Sequence, residues 1–247
     1  MSKVAVVTGV SHTHGIGAAI CRKLAETGTA IFFAHWQAEA EWPKQFQAEL
    51  ENMGVSAGEA EIDLAEPEAY SQLLDDVTAQ LGFPNILVNN AAYSTRDGYQ
   101  KLDASDLDAH YAVNMRTTFL LCTEFARRLE AGDKSAARII NMTSGQQQGP
   151  MQEELAYVAT KGAISAFTLS LSAEVASLGI TVNAVNPGPT DTGWMTEELK
   201  KELIPKFLLG RMGQPGDAAR LVAFLASEEA GWITGQVINS EGGFLRQ

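Results

Sequence analysis

The stretch Val4-Ala5-Val6-Val7-Thr8-Gly9-Val10-Ser11-His12-Thr13-His14-Gly15-Ile16-Gly17 decides the fold. It reads as an apolar strand that passes through a glycine-rich turn into an apolar helix beginning near Gly17. Glycines at such a junction allow a tight turn and let backbone N–H groups at the helix N-terminus approach a pyrophosphate. Taken alone the motif leaves an ordinary strand-to-helix turn as the alternative. Its place on the first strand of an alternating pattern favours a dinucleotide, with Gly9, Ser11, His14, Gly15, Ile16 and Gly17 as the candidate contacts.

The same alternation continues outward. After the strand Val4 to Thr8, the pattern predicts a helix from about Gly17 to Thr27 and a strand from Ala30 to Ala34. Next come a strand Ala60 to Leu64, a helix from about Glu66 to Gln80, a strand Asn85 to Asn89, a helix Leu107 to Ala131 and a strand Arg138 to Thr143. A helix Glu154 to Leu178, a strand Thr181 to Asn186, a helix Gly216 to Ser227 and a strand Val237 to Ser240 complete it. Strands apolar throughout and separated by helices imply a parallel sheet covered on both faces, a doubly wound α/β architecture. No repeat or linker divides residues 1–247, so one domain is expected.

Composition narrows the function. Thirty acidic against 18 basic residues give a net charge of −12, which argues against nucleic acid or an anionic membrane as partner. Cys21 and Cys122 lie far apart in helix-like runs, so neither a disulfide framework nor a metal site is signalled. The apolar run after Met1-Ser2-Lys3 is too short for a signal peptide, and a reducing cytoplasmic setting is expected.

Ser144 ends a predicted strand, Tyr157 follows thirteen residues later, and Lys161 stands four beyond that. Positions i and i+4 share one helix face, so the phenol and the ammonium can converge. A nearby cation favours tyrosinate and should lower the tyrosine pKa towards neutrality, making it a usable acid or base. Alone, a tyrosine and lysine so spaced usually form a solvated helix face; the glycine loop changes the odds.

With these residues assembled, the chain resembles the short-chain dehydrogenase/reductase family from end to end, and in particular its 3-oxoacyl-thioester (acyl-carrier-protein) reductase branch. The matching residues are Thr8, Gly9, Gly15 and Gly17, Asp63, Asn89 to Ala92, Asn114, Ser144, Tyr157, Lys161, Asn186 to Gly188 and Thr192. Arg211 to Pro215, Thr234-Gly235 and Gly242-Gly243 match as well. The resemblance implies a Rossmann-like sheet and a ketone–alcohol oxidoreductase. It implies that Tyr157 is the general acid, Lys161 tunes it and holds the nicotinamide ribose, Ser144 orients the carbonyl and Asn114 supports a proton relay. It further implies cofactor contacts from Asp63 and Leu64 to adenine, from Asn90 and Ala91 in the cleft, and from Pro187, Gly188, Thr190 and Thr192 to the carboxamide.

Five residues separate Gly9 from Gly15 where the family usually has three. Enoyl-thioester reductases share such a loop but place six residues between tyrosine and lysine, where this chain has three. Ala92 stands where glycine is more usual, and Glu241 replaces the commoner aspartate. The second strand ends Ala34-His35-Trp36-Gln37 without the acid that binds a ribose 2′-hydroxyl. This favours NADP(H) over NAD(H), with His35 and Trp36 as further cofactor candidates and His12, His14 or His35 as donors to a 2′-phosphate; exposed loop histidines are the alternative.

The resemblance implies a substrate lid at residues 190–211, which are rich in apolar side chains such as Trp194, Leu203 and Phe207, although a small helix packed on the body would show the same spacing. The expected substrate is a small carbonyl or alcohol, apolar in character. From Gly162 through Leu178 no basic residue occurs, which argues against an acidic acyl-carrier protein as partner. That predicted helix is apolar on most faces, which points to a subunit contact, and the resemblance implies a homotetramer or homodimer. Two other readings stand beside the ketone reductase: an enoyl-thioester reductase, and a sensor that binds the dinucleotide without turnover.

Overall fold

Residues 3–132 and 136–246 are described by the computed structural model. Seven apolar segments form parallel strands: β1 (Val4–Thr8), β2 (Ala30–His35), β3 (Ala57–Glu61), β4 (Ile86–Asn89), β5 (Ala137–Met142), β6 (Ile180–Asn186) and β7 (Val237–Asn239). They pair in the order β3-β2-β1-β4-β5-β6-β7, so the direction of winding reverses between β1 and β4. That reversal is where open α/β sheets bind ligands, outside the carboxyl ends of the strands.

Both faces are covered, which is why the central strands carry no polar alternation. One cluster packs α1 (Ile16–Ala25) and α8 (Pro215–Ala226) on the sheet through Ile20, Leu24, Val222 and Leu225. The other packs α3 (Ala69–Leu81), α5 (Thr117–Ala131) and α6 (Leu155–Val175) through Leu73, Leu121, Phe125 and Leu171. The doubly wound sheet expected from the sequence is therefore the fold. Among the described residues no helix is long and apolar enough to cross a membrane.

Three elements differ from the sequence reading. An additional helix, α2 (Trp42–Asn52), buries Phe46 and Leu50, and Trp42 stacks on Phe46 with ring centroids 5.0 Å apart. Its polar composition hid a three-residue apolar stripe. The third strand ends at Glu61, because Ile62 and Leu64 leave the sheet to pack beneath α3 and α5. The helix expected over 107–131 is broken into α4 (Ala104–His110), a π-helical turn at Tyr111–Arg116, and α5. Such π-turns occur frequently at functional sites, and Asn114 lies within this one. A further short helix, α7 (Glu197–Leu203), occupies the expected lid.

Candidate active site

The glycines of the first loop have separate duties. Gly9 has φ +70°, and a methyl group there would lie 2.5 Å from Ala91 Cα. At Gly17 it would meet Asn90 Nδ2 at 2.8 Å and Gly9 O at 2.9 Å. Both positions thus bring the loop close to the segment after β4. Asn90 completes the joint, its side chain donating to Thr8 O and Gly9 O at 2.9 Å each, while Thr8 Oγ1 accepts from the N–H groups of Asn90 and Ala91.

Gly15 is the N-cap of α1 and supplies no side-chain cap. The first N–H groups of a helix have no intrahelical partner, so Ile16 and Gly17 present donors and a helix dipole suited to a pyrophosphate. His12 and His14 are exposed on the loop. Ser11 braces it against the end of β2: its hydroxyl donates to Trp36 O at 3.1 Å and accepts from Trp36 N–H at 3.2 Å.

His35 is not available to a 2′-phosphate, contrary to the sequence reading. Its side chain is buried and its Nε2 lies 3.0 Å from Glu59 Oε2, which Lys44 engages from the other side. Residues alternate across a strand, and position 35 faces inward while the next residue, Trp36, is 44% exposed. The structure also brings an acid to this corner from β3: Glu61 Oε1 accepts the Gln37 N–H at 3.2 Å. Sequence spacing could not reveal it, since the two residues are 24 positions apart.

The adenine-side candidates are held by backbone turns. Asp63 Oδ1 accepts from Ala65 N–H at 2.8 Å, and the buried Leu64 offers its carbonyl to Thr117 Oγ1 at 2.6 Å. Beyond β6, Gly188 N–H donates to Asn186 Oδ1 at 3.0 Å, and Thr190 Oγ1 donates to Gly188 O at 3.1 Å. Pro187 and the half-buried Thr192 belong to the same turn region.

Ser144, Tyr157 and Lys161 converge where β5 runs out against the first turns of α6. Lys161 is 2% exposed, and its ammonium donates to Met142 O at 2.8 Å and lies 5.5 Å from the centre of the Tyr157 ring. Ser144 Oγ donates to Met151 Sδ at 3.7 Å. Asn114 is buried, accepting from Tyr93 N–H at 2.7 Å and donating to Tyr93 O at 2.9 Å and Thr160 Oγ1 at 3.1 Å. It therefore ties the segment after β4 to the helix that carries Tyr157.

Electrostatics reverse one expectation. Burial pushes the Tyr157 phenol up to about 12, the Glu154 carboxylate one turn away adds to this, and the Ser144 hydroxyl opposes it. Burial brings Lys161 down to about 8. Desolvation is the largest cause of both shifts, since each group is buried in the dry interior. Tyr157 consequently holds its proton across the physiological range.

Two acids near Tyr157 escaped the sequence reading. Buried Asp97 caps α6, accepting from Leu155 N–H at 2.8 Å and Ala156 N–H at 2.7 Å, and these bonds with that from Gly98 hold its carboxyl below the usual range despite burial. Glu154, 3.4 Å from Arg96, is raised by burial. No local motif marks either residue, because Asp97 reaches α6 from 58 positions away.

From residues 190–211, Met195 and Phe207 are buried together with the adjoining Met212, with Leu199, Leu203 and Phe244 against them. Trp194, Leu208 and Leu209 remain 58%, 71% and 74% exposed. The apolar residues of this segment thus divide between a small core of its own and an open surface.

Comparison with known proteins agrees with the fold. Residues 9–245 match a family model described as enoyl-(acyl carrier protein) reductase. The chain is 59% identical over 244 residues to the uncharacterized oxidoreductase YjdA of Bacillus subtilis strain 168, covering 99% of this chain and 97% of that one. It is 35% identical over 250 residues to the 3-oxoacyl-[acyl-carrier-protein] reductase FabG of Staphylococcus aureus strain Mu50, covering 98% of each. The crystal structure of acetoin dehydrogenase YohF from Salmonella typhimurium superposes with a TM-score of 0.87 at 30% identity, covering 98% of this chain and 97% of that one.

Proposed function

The chain belongs to the short-chain dehydrogenase/reductase family and is an oxidoreductase of that family, and we propose that it interconverts a small ketone and a secondary alcohol. The observation that carries this reading is the meeting of a buried lysine, a protonated tyrosine and a serine hydroxyl at the carboxyl edge of the sheet. The family uses NAD(P)(H), and the uncapped N-terminus of α1 fits its pyrophosphate. When bound, the dihydronicotinamide supplies the hydride.

The chain's own residues supply the rest. Ser144 holds the carbonyl oxygen, and Tyr157 donates its phenolic proton as negative charge develops there. A phenol kept neutral by burial is in the correct state for reduction at every pH below about 12. Lys161, charged below about 8, offsets the developing tyrosinate. Asn114 fixes the distance between the segment after β4 and Tyr157.

A ketone is favoured over an enoyl thioester because Tyr157 and Lys161 stand one helical turn apart, as in the carbonyl-reducing branch. The absence of basic residues over 162–178 argues for a free small molecule rather than a carrier protein. Residues 190–211 close over the substrate, with exposed Trp194 as their apolar contact. The preference for NADP(H) rests on exposed His12 and His14 and on the lack of an acid on β2 itself, while Glu61 works against it. A second copy of the chain covers the exposed strip of α6 formed by Ala166, Leu169 and Ala173, in a cytoplasmic homo-oligomer.

Steady-state oxidation of NADPH and NADH with a panel of small ketones and 3-oxoacyl thioesters tests the reading. Turnover is expected, and Tyr157→Phe should lower kcat by about 10²–10⁴-fold while cofactor affinity holds. Binding without turnover across the panel, or a Phe variant keeping more than about half of kcat, would refute the assignment.

A further inference from the structure

The C-terminal tail carries a buried ion pair that the mechanism above does not use. Arg246 and Glu241 have side chains only 12% and 8% exposed, and Arg246 Nη1 lies 3.0 Å from Glu241 Oε2 with Nη2 on the other carboxylate oxygen. Each end of this pair rests on glycine. A methyl at Gly145, the residue after Ser144, would fall 2.5 Å from Arg246 Cζ, and one at Gly149 would lie 3.1 Å from Arg246 Cβ. A methyl at Gly188 would lie 2.9 Å from Glu241 Cβ and Cγ. The pair therefore spans the loop behind Ser144 and the turn after β6.

The tail is fastened to the segment 190–211 as well. Leu245 N–H donates to Lys206 O at 2.9 Å, Leu209 N–H donates to Gly242 O at 3.1 Å, and the Phe207 and Phe244 rings are 4.8 Å apart. Glutamate at 241, in place of the shorter aspartate, supplies the extra methylene with which the carboxylate reaches the guanidinium.

We propose that Glu241 and Arg246 are positioning residues, a buried clamp that sets the loop carrying Ser144 against the turn after β6 and links both to the lid. The inference rests on the assignment of Ser144 to the carbonyl. A buried charge that loses its partner must find water, so breaking the clamp pulls the tail out and leaves the serine loop unsupported. Displacement of a reacting group by about 1 Å costs about 10²-fold in rate, which bounds the expected effect.

The test is a double-mutant cycle between positions 145 and 246, read as kcat for ketone reduction and KM for the cofactor. Arg246→Met should lower kcat about tenfold or more, with a smaller rise in cofactor KM through the turn that carries Gly188, and Arg246→Lys should recover part of the loss. Gly145 does not have a positive φ, so alanine is tolerated by the backbone, and the three atoms nearest its methyl all belong to the Arg246 guanidinium. Gly145→Ala should therefore lower kcat as Arg246→Ala does, yet cost little further when combined with Arg246→Ala. Additive effects at the two positions, or a folded Arg246→Met variant with wild-type kcat, would overturn the clamp. If instead Tyr157→Phe proved active, the site assignment would fail; loss in Tyr157→Phe with an unaffected Arg246→Met overturns the clamp alone.

Discussion

Replacing Lys161 with methionine should strip most activity from the enzyme and, at pH 7, remove a large electrostatic burden from the fold. The ammonium is 2% exposed and has one hydrogen-bond acceptor, Met142 O. Burial brings it from an ordinary 10.5 to about 8, a displacement that corresponds to about 3 kcal/mol of unfavourable free energy in the charged folded state. The sign follows from proton counting. Between pH 8 and 10.5 the unfolded chain binds a proton at this site that the folded chain does not, so wild-type stability rises with pH across that window. The penalty is present in full below about 8 and gone above 10.5. Methionine matches the length of the stem and carries no charge, and it leaves Met142 O unsatisfied at a pH-independent cost of about 1–3 kcal/mol.

Because that cost is constant, the pH dependence isolates the lysine. Urea unfolding of both proteins, followed by far-ultraviolet circular dichroism at pH 7, 8, 9, 10 and 10.5, gives the difference in unfolding free energy at each pH. Other titrating groups are common to both chains and cancel. The variant's advantage over wild type should shrink by about 3 kcal/mol from pH 7 to pH 10.5. A difference that stays constant within about 0.5 kcal/mol would show that Lys161 titrates normally, and the desolvation argument would be wrong. The same variant should lose most kcat below about pH 8, where wild-type Lys161 carries the charge that offsets the tyrosinate, and the deficit should narrow above it.

Two further outcomes follow from the cofactor end of the cleft. Gly9→Ala forces a side chain into φ +70° and onto Ala91 Cα at 2.5 Å, so the urea midpoint should fall by the equivalent of at least about 1–3 kcal/mol and NADPH affinity should weaken with it; an unchanged midpoint would refute the close approach of the loop to Ala91. Glu61→Gln keeps an acceptor for the Gln37 N–H but removes the charge, so the ratio of kcat/KM for NADPH over NADH should rise, and an unchanged or lower ratio would mean that Glu61 does not face the 2′ position.

The order of strands and helices was legible because buried parallel strands announce themselves as apolar runs, as in Ile31-Phe32-Phe33 and Ile86-Leu87-Val88. The candidate residues were legible where chemistry and spacing coincide: glycines at a strand-to-helix turn, a tyrosine and lysine one turn apart. What escaped was whatever depends on two distant segments meeting. Helix α2 was lost to its acidic and polar surface, since Phe46 and Leu50, with Trp42 and Pro43 at its start, are all that mark its inward face. The π-helical turn around Asn114 has no apolar signature distinct from the helices on either side. His35 looked like a phosphate ligand because its strand neighbour Glu59, which claims it, is 24 residues away.

The tyrosine shows the same limit in its energetics. Spacing establishes that Lys161 can lie beside Tyr157, and a pairwise argument then predicts a lowered phenol pKa. In the fold the lysine spends its hydrogen bond on Met142 O, and Glu154 and Asp97 crowd the N-terminus of α6 with negative charge. A helix N-terminus by itself would favour tyrosinate; the Glu154 carboxylate works against it. Burial then decides the outcome, because it penalises tyrosinate and ammonium together and drives their pKa values apart, to about 12 and about 8. The separation leaves one group that keeps its proton to give to a carbonyl, and one that titrates close enough to neutrality to answer the charge left behind.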